Sequence, residues 1–505
     1  MGPQKHKCLK KNIKLCNHKS LVFIKKGDSM KQTTSLLLVL LTALSSLRAS
    51  SIVLTPNNFS SVLAMWTQPV NIAGLLDLTF GGKGFVETSP GGNSNGITGI
   101  VLQPDGKIVA AGDVTIGGRQ QFALARYNVD GSLDATFNPT GATPGVVTTI
   151  LVTGRDSSAN GIALQSDGKI IAAGRTIYGG VGATEFGLVR YLSNGALDPS
   201  FGTDGVVTLA IGTLNDTGTA VALQSDGKIV MAGYSAPGIG LNHVFAVARF
   251  DSSGNLDPSF GGGVGYVTTR VITAPNDDHA YALTIQSDGK IVVGGQAPTG
   301  GVQSCTILRY NTDGTLDTTE FGNGLGYVIT PISSNGVAAD SSVIRGLTMQ
   351  SDGKILAVGW ATFGGADRLV VLRYTSAGVL DTTFGGGVGY VITQVGTTTE
   401  GYGIILQPDG KIVVSGTCVV AGPQEFIVAR YTTDGTLDSS FGNPNLGYVL
   451  TSAGAGCIGY AIAQKTNGEL VIGGKGDTTN FLVAQYMNPF TVASFTASYG
   501  GVGLL

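Results

Sequence analysis

Acidic residues recur at one register of this 505-residue chain. Asp156, Asp216, Asp278, Asp340 and Glu400 each stand ahead of an apolar run that leads into an Asp-Gly dipeptide. Gathered on one rim, five carboxylates would attract a cation such as calcium, or a basic partner. Kept apart, they would cap turns and keep the surface soluble. A second series follows the next apolar run: Asp113, Arg175, Tyr234, Gln296, Trp360, Thr417 and Lys475. Tyr234 and Trp360 offer ring faces on which a sugar or peptide stacks, and Arg175 offers a planar charged fork. Trp360, Tyr234, Arg175 and the five acids are therefore the candidate ligand-binding residues.

Residues of conventional catalytic chemistry are sparse. His243 and His279 fall in different parts of the chain with no partner at ligand spacing, so no metal site of the His/Cys type is expected. Phosphate-binding Gly-Lys-Ser/Thr loops are absent. Asn128–Gly131 and Asn311–Gly314 resemble the opening of a calcium loop, but no Glu closes either, and both read as turns. No catalytic residue, metal ligand or cofactor is assigned, with calcium at the acidic loops the one cation entertained. An enzymatic alternative is a hydrolase or lyase acting on polysaccharide. It would need two carboxyl groups about 5–5.5 Å apart in a retaining glycosidase, one with a raised pKa. Asp277, Asp278 and Asp340 are the first places to look.

The elements that would position these residues are repeats. Asp-Gly-Lys recurs at Asp105, Asp167, Asp226, Asp288, Asp352 and Asp409, and in altered form at Asn467-Gly468-Glu469. From 105 to 467 is 362 residues in six steps, or about 60 per unit. Leu-Asp-x-x-Phe recurs with it, ending at Phe80, Phe137, Phe201, Phe260, Phe321, Phe384 and Phe441, with one residue inserted before Phe321. Each unit reads as four strands, for example A (161–165), B (169–174), C (186–191) and D (205–208). Asp-Gly supplies the A–B hairpin because both residues accept positive φ cheaply. Strand B is apolar without alternation, as in a sheet covered on both faces. One such sheet cannot bury two faces alone, whereas seven in a ring can. The expected fold is all-β, a seven-bladed β-propeller of four-stranded antiparallel blades over residues 72–487. The chain begins its repeats with a strand D (84–87) and ends them with A, B and C of the last unit, so the N-terminal strand is expected to close the ring. Tyr499–Gly503, a worn copy of the Gly-rich segment, is the alternative closure. The repeated Arg of strand C (126, 190, 249, 309, 373, 430) is expected to pair with the Asp of Leu-Asp, as Arg190 with Asp198.

With strands running alternately up and down, the A–B and C–D turns share one face and the B–C and D–A loops the other. The first set is nearly uniform and the second is not. Binding is expected on the variable set, held by a rigid scaffold.

Residues 30–51 follow the plan of a signal peptide: Lys31, an apolar centre at 37–44, then small residues up to Ser51. That centre is too short to span a bilayer of roughly 30 Å. Residues 1–29 carry eight lysines and one acid and read as an upstream extension, 52–71 as a linker and 488–505 as a tail. Without residues 1–50, Lys plus Arg falls from 31 to 21 and Asp plus Glu from 33 to 32, a net charge near −11. That balance argues against nucleic acid as a partner. Cys305, Cys418 and Cys457 remain, so at most one internal disulfide can form.

The units ALQSDGKIVMAG, FAVARF and NLDPSFGGGVGYVTT resemble the delta-60 repeat family of bacterial proteins, for which the family predicts β-propellers. A weaker likeness is to NHL-type propeller repeats. The resemblance implies fold and export but carries no established chemistry. The combined expectation is an exported, monomeric, non-enzymatic propeller that binds protein or glycan at a cell surface, with a purely structural surface protein as a third reading.

Overall fold

The computed structural model describes residues 73–488, apart from 179–182, 239–241, 273–275, 443–445, 455 and 477–479 and the side chains of Ser94 and Asn95. The expected extension (1–29), signal peptide (30–51), linker (52–71) and fragment at 499–503 lie outside the described residues, as does all of the 488–505 tail except Asn488.

Seven four-stranded antiparallel sheets, each in the order A-B-C-D, form the blades. The second blade shows the pattern: A is Ser157–Leu164, B Ile170–Tyr178, C Ala183–Tyr191 and D Val206–Leu209. Strands A of blades one to seven are Asn93–Leu102, Ser157–Leu164, Leu214–Leu223, His279–Ile285, Ser341–Met349, Thr398–Leu406 and Ile458–Gln464. Each strand A packs on the next, and Ile458–Gln464 packs back on Asn93–Leu102, so the A strands line the axis of a closed ring. No α-helix occurs among the described residues. A two-strand hairpin, Ser333–Ser334 with Val337–Ala338, decorates the loop into blade five.

The N-terminal strand closes the ring. Phe85–Thr88 pairs antiparallel with Phe481–Tyr486 and supplies strand D of the seventh blade. The apolar cores lie between blades, which is why strand B shows no polar alternation. Val109, Ala111, Phe122 and Leu124 of blade one pack with Ile170, Ala172 and Val189 of blade two.

A polar rivet accompanies each core. In six repeats the Arg Nε donates to the buried Leu-Asp carboxylate at 2.7–2.9 Å. The Lys of Asp-Gly-Lys reaches the same carboxylate at 2.9–3.2 Å. The arginine also does what its spacing does not reveal: Arg190 donates to the Ser252 carbonyl and Arg126 to that of Ser193, each in the next blade. The seventh repeat lacks Arg, and Gln485 Nε2 donates instead to Asp77 at 2.7 Å, across the closure.

The ring of Phe side chains is shaped by glycine. Phe137 lies where a Cβ on Gly195 would come within 2.9 Å of it, and Phe441 lies within 2.7 Å of the same point on Gly74. Both glycines hold positive φ, +87° and +83°. Only glycine combines that backbone with so close an approach.

Candidate binding site at the channel mouth

Strand A begins earlier than the sequence reading placed it, at Ser157 rather than Gly161 in blade two, and the added residues contain the site. In every blade the A–B register slips at one equivalent point, and blades one and three carry a second slip nearer the start of strand A. Ala159 pairs with Gly174 and Gly161 with Ala173, leaving Asn160 as a β-bulge. The equivalent residues are Thr98, Thr219, Tyr281, Arg345, Tyr402 and Tyr460. Bulges bend a strand and re-aim one side chain. Here a glycine in strand B permits the slip: a Cβ on Gly174 would sit 1.9 Å from the Ser158 carbonyl oxygen, and one on Gly359 would sit 1.8 Å from that of Val343. A β-carbon cannot occupy that space, so the strand B glycine and the strand A bulge are one device.

All seven bulged residues line a single cavity of about 490 Å3 in the channel, together with Ser158, Thr217, Arg175 and Tyr234. Three are small and join neighbouring blades. Thr98 Oγ1 reaches the Ala159 carbonyl at 3.0 Å, Asn160 Nδ2 that of Gly218 at 2.7 Å, and Thr219 Oγ1 that of Ala280 at 3.0 Å. The other four are large and form an arc. The Arg345 guanidinium lies over Tyr281 at 4.0 Å and over Trp360 at 4.9 Å. Trp360 meets Tyr402 at 5.4 Å, and Tyr402 meets Tyr460 edge-on at 4.9 Å. Arg345 Nε is buried without a hydrogen-bond partner among the described residues. Glu400 accepts the Tyr402 hydroxyl beside this arc. Burial pushes its carboxyl up, and the Asp367 carboxylate adds to the rise against the Tyr402 bond.

The strand B candidates are cross-strand partners of the residues two before each bulge: Arg175 of Ser158, Tyr234 of Thr217 and Trp360 of Val343. The acids are placed differently. Asp156 accepts the Gln120 N–H at 3.2 Å. Buried Asp216 accepts the Ile211 and Gly212 N–H groups at 2.6 and 3.0 Å. Asp340 accepts the Gly364 N–H at 2.7 Å. Asp278 is fully buried and accepts the Val271 N–H at 2.9 Å, and burial raises its pKa to about 6. These four hold loops in place, whereas Glu400 faces the arc.

The structure corrects the reading that His243 and His279 have no partner. His279 Nε2 lies 3.0 Å from His243 Nδ1 although 36 residues separate them. His243 stands just before strand C of blade three (Val244–Phe250) and His279 opens strand A of blade four, and Tyr234 covers both rings at centroid distances of 4.9 and 4.3 Å. Burial, with the neighbouring His243, lowers the His279 pKa to about 4.

A larger depression, about 740 Å3, opens on the opposite face between blades three and four. Its lining, with Asp226, Lys228 and Arg249, is the repeated turn chemistry already engaged in rivets. The channel cavity is where the blades differ.

The family description "Domain of unknown function (DUF5122) beta-propeller" matches residues 103–137, 165–201, 224–260, 286–319, 350–384 and 407–441. The chain is a β-propeller repeat protein. No curated protein matches it. Among solved structures it resembles a catalytically inactive virginiamycin B lyase from Staphylococcus aureus, at 15% identity and a TM-score of 0.37, over 68% of this chain and 88% of that one. It also resembles Chaetomium thermophilum Sqt1 bound to the N-terminus of ribosomal protein L10, at 12% identity and 0.40, over 80% and 98%. A third is the extracellular domain of the one-component system BT4673 from B. thetaiotaomicron, at 10% identity and 0.41, over 80% and 40%.

Proposed function

We propose that this repeat protein is an exported, monomeric, non-enzymatic binding module that takes its ligand at the channel mouth on the face of the B–C and D–A loops. The observation that carries the reading is the bulge register. One bulged position per repeat, opposite a glycine that leaves room for it, lines one cavity, and at that position the repeats diverge to Thr, Asn, Thr, Tyr, Arg, Tyr and Tyr. A cavity of about 490 Å3 falls in the size class of small-ligand pockets. Stacked aromatics with one half-buried guanidinium, its Nε without a hydrogen bond among the described residues, suit a planar or ring-shaped group carrying negative charge, such as an acidic sugar or a peptide carboxylate. Export rests on the signal-like sequence of residues 30–51.

The test is a glycan and peptide array probed with the full chain and with Arg345→Ala and Trp360→Ala. Acidic glycans or peptide termini should bind, and loss of a central Arg or Trp anchor should weaken binding by about 30-fold or more. An array without a hit, or variants that bind as the parent does, would remove the reading. Release of reducing ends from a bound glycan would transfer the site to the hydrolase alternative, with Glu400 the first carboxyl to replace.

A further inference from the structure

We propose that His243, His279 and Asp277 form a site for one divalent transition-metal ion at the channel rim between the third and fourth blades. The three side chains place their donor atoms within 4.8 Å of one another. His243 Nδ1 stands 3.0 Å from His279 Nε2 and 3.3 Å from Asp277 Oδ1. A ring nitrogen carries one proton along one line, or one lone pair. If His243 Nδ1–H donates to the carboxylate, it offers His279 Nε2 no lone pair. If it accepts from His279 Nε2–H, its own lone pair is already used and the carboxylate at 3.3 Å faces only repulsion. If the Nδ1–H is shared between His279 Nε2 and the carboxylate, one proton serves two acceptors, whereas a cation among the three would give each lone pair a partner of its own.

Two of the three donor spacings suit coordination. Two nitrogens each about 2.05 Å from a metal and 3.0 Å apart subtend about 94° at it, and the N···O pair about 105°. Both lie between octahedral and tetrahedral values. The set is two imidazoles and one carboxylate, and the two borderline imidazole nitrogens favour zinc, nickel, cobalt or iron(II) over calcium or magnesium. It leaves coordination positions open.

Further contacts hold the ligands ready. Tyr281 Oη lies 3.3 Å from His279 Nδ1, so that nitrogen can donate while Nε2 faces the metal. Asp277 Oδ1 accepts the His243 backbone N–H at 2.7 Å, and Gln303 Nε2 holds the Asp277 carbonyl at 2.9 Å. Tyr281 and Tyr234 also line the channel cavity, so the metal would stand at its edge. The geometry stands whether or not the cavity binds a glycan or peptide.

The experiment is calorimetric titration of the full, EDTA-treated chain with Zn2+, paired with Co2+ absorption spectra. The chain also carries His6, His18, Cys8 and Cys16, so the variants and the spectrum identify the site. The expected result is one Zn2+ equivalent that disappears in His243→Ala and His279→Ala and weakens at least 10-fold in Asp277→Asn and in Tyr281→Phe. Co2+ should give ligand-field bands that His279→Ala removes, without thiolate charge-transfer absorption. Should an alanine variant fail to fold, His243→Gln keeps the side-chain volume and must also lose the equivalent. Zn2+ binding equal in the parent and a folded His243/His279 variant, or no binding by the parent at micromolar metal, overturns the proposal and leaves a hydrogen-bonded histidine pair.

Discussion

Replacing Gly359 with Ala tests whether the strand B glycines create the site. The new Cβ would start 1.8 Å from the Val343 carbonyl oxygen and 2.8 Å from its carbon. Ordinary contact begins at 3.4 Å, so strands A and B of blade five must part by about 1.6 Å at that point. Both strands are fixed by partners on either side, Ser341–Met349 by the adjoining blades and Ile355–Phe363 by strand C. The local slip between Ile344 and Gly346 is therefore where the displacement goes, and Arg345 is the residue it moves. Overpacking of this kind costs about 1–3 kcal/mol, with the upper end expected because the clash is with backbone. Fluorescence reads the movement directly: the chain has two tryptophans, Trp66 and Trp360, and the Arg345 guanidinium lies 4.9 Å over the second. The variant should stay folded at room temperature, melt several degrees lower, shift Trp360 emission and lose array binding. Gly422→Ala is the control, since a Cβ there meets nothing within 4 Å. A Gly359→Ala protein with unchanged melting, emission and binding would refute the link between glycine, bulge and cavity.

The rivets make two further predictions. Arg190→Ala and Asp198→Ala should each cost about 3 kcal/mol or more, with the Asp change worse because it takes the shared carboxylate from both Arg190 and Lys169; urea midpoints of the double variant should show coupling of at least 1 kcal/mol, and additive losses would dismiss the pairing. Acid should unfold the ring through the same carboxylates. Burial alone would raise the Asp438 pKa, but the Ser440 hydroxyl and N–H, Lys411 and Arg430 outweigh it and hold the group at about 2. A folded pKa below the unfolded one stabilises the fold at pH above the unfolded value. That contribution, about 2 kcal/mol from Asp438, is lost as pH falls from about 4 to 2, and thermal midpoints that stay flat over that window would contradict it.

The fold was legible because its determinants are local and repeated. Asp-Gly marks the hairpin, the unbroken apolar run of strand B marks burial on both faces, and the N-terminal half-repeat marks closure. The Arg190–Asp198 pair was legible from co-occurrence, but its bond to Ser252 was not, because repeat spacing does not say which blade lies within reach of a guanidinium. The site was partly legible. Tyr234, Trp360 and Arg175 were expected where strand B enters the variable loop, and they lie instead inside strand B, two or three residues before its end, because the strand runs further than the apolar pattern shows. The bulged ring was missed because small polar residues before Gly161 read as loop, although a signal was present: each strand B carries a glycine at the same register, and each bulge lies seven residues before the Asp or Asn of the turn. His243 and His279 were beyond reach, since they meet only when blades three and four dock.

The bulged position serves two purposes, and the division between them can be tested within the ring itself. Thr98 and Thr219 donate to their own strand B and to the next blade, at Ala111 and Ala159 for the first and Ala232 and Ala280 for the second. Threonine at this register is therefore a structural default that the ring's own geometry satisfies. Tyr281, Arg345, Tyr402 and Tyr460 do without it, and place instead large side chains on one side of the cavity. Tyr460→Thr should restore the default, with the new hydroxyl facing the Gly473 and Ile97 carbonyls that correspond by register. Stability should hold or change by less than about 1 kcal/mol, since a lost edge contact with Tyr402 is exchanged for a buried hydrogen bond. Ligand binding should fall, because one wall of the arc is gone. A folded, unchanged melting curve together with lost binding would separate the site from the scaffold at a single residue. A large loss of stability would show instead that the arc is part of the ring's core, and the binding reading would lose its main support.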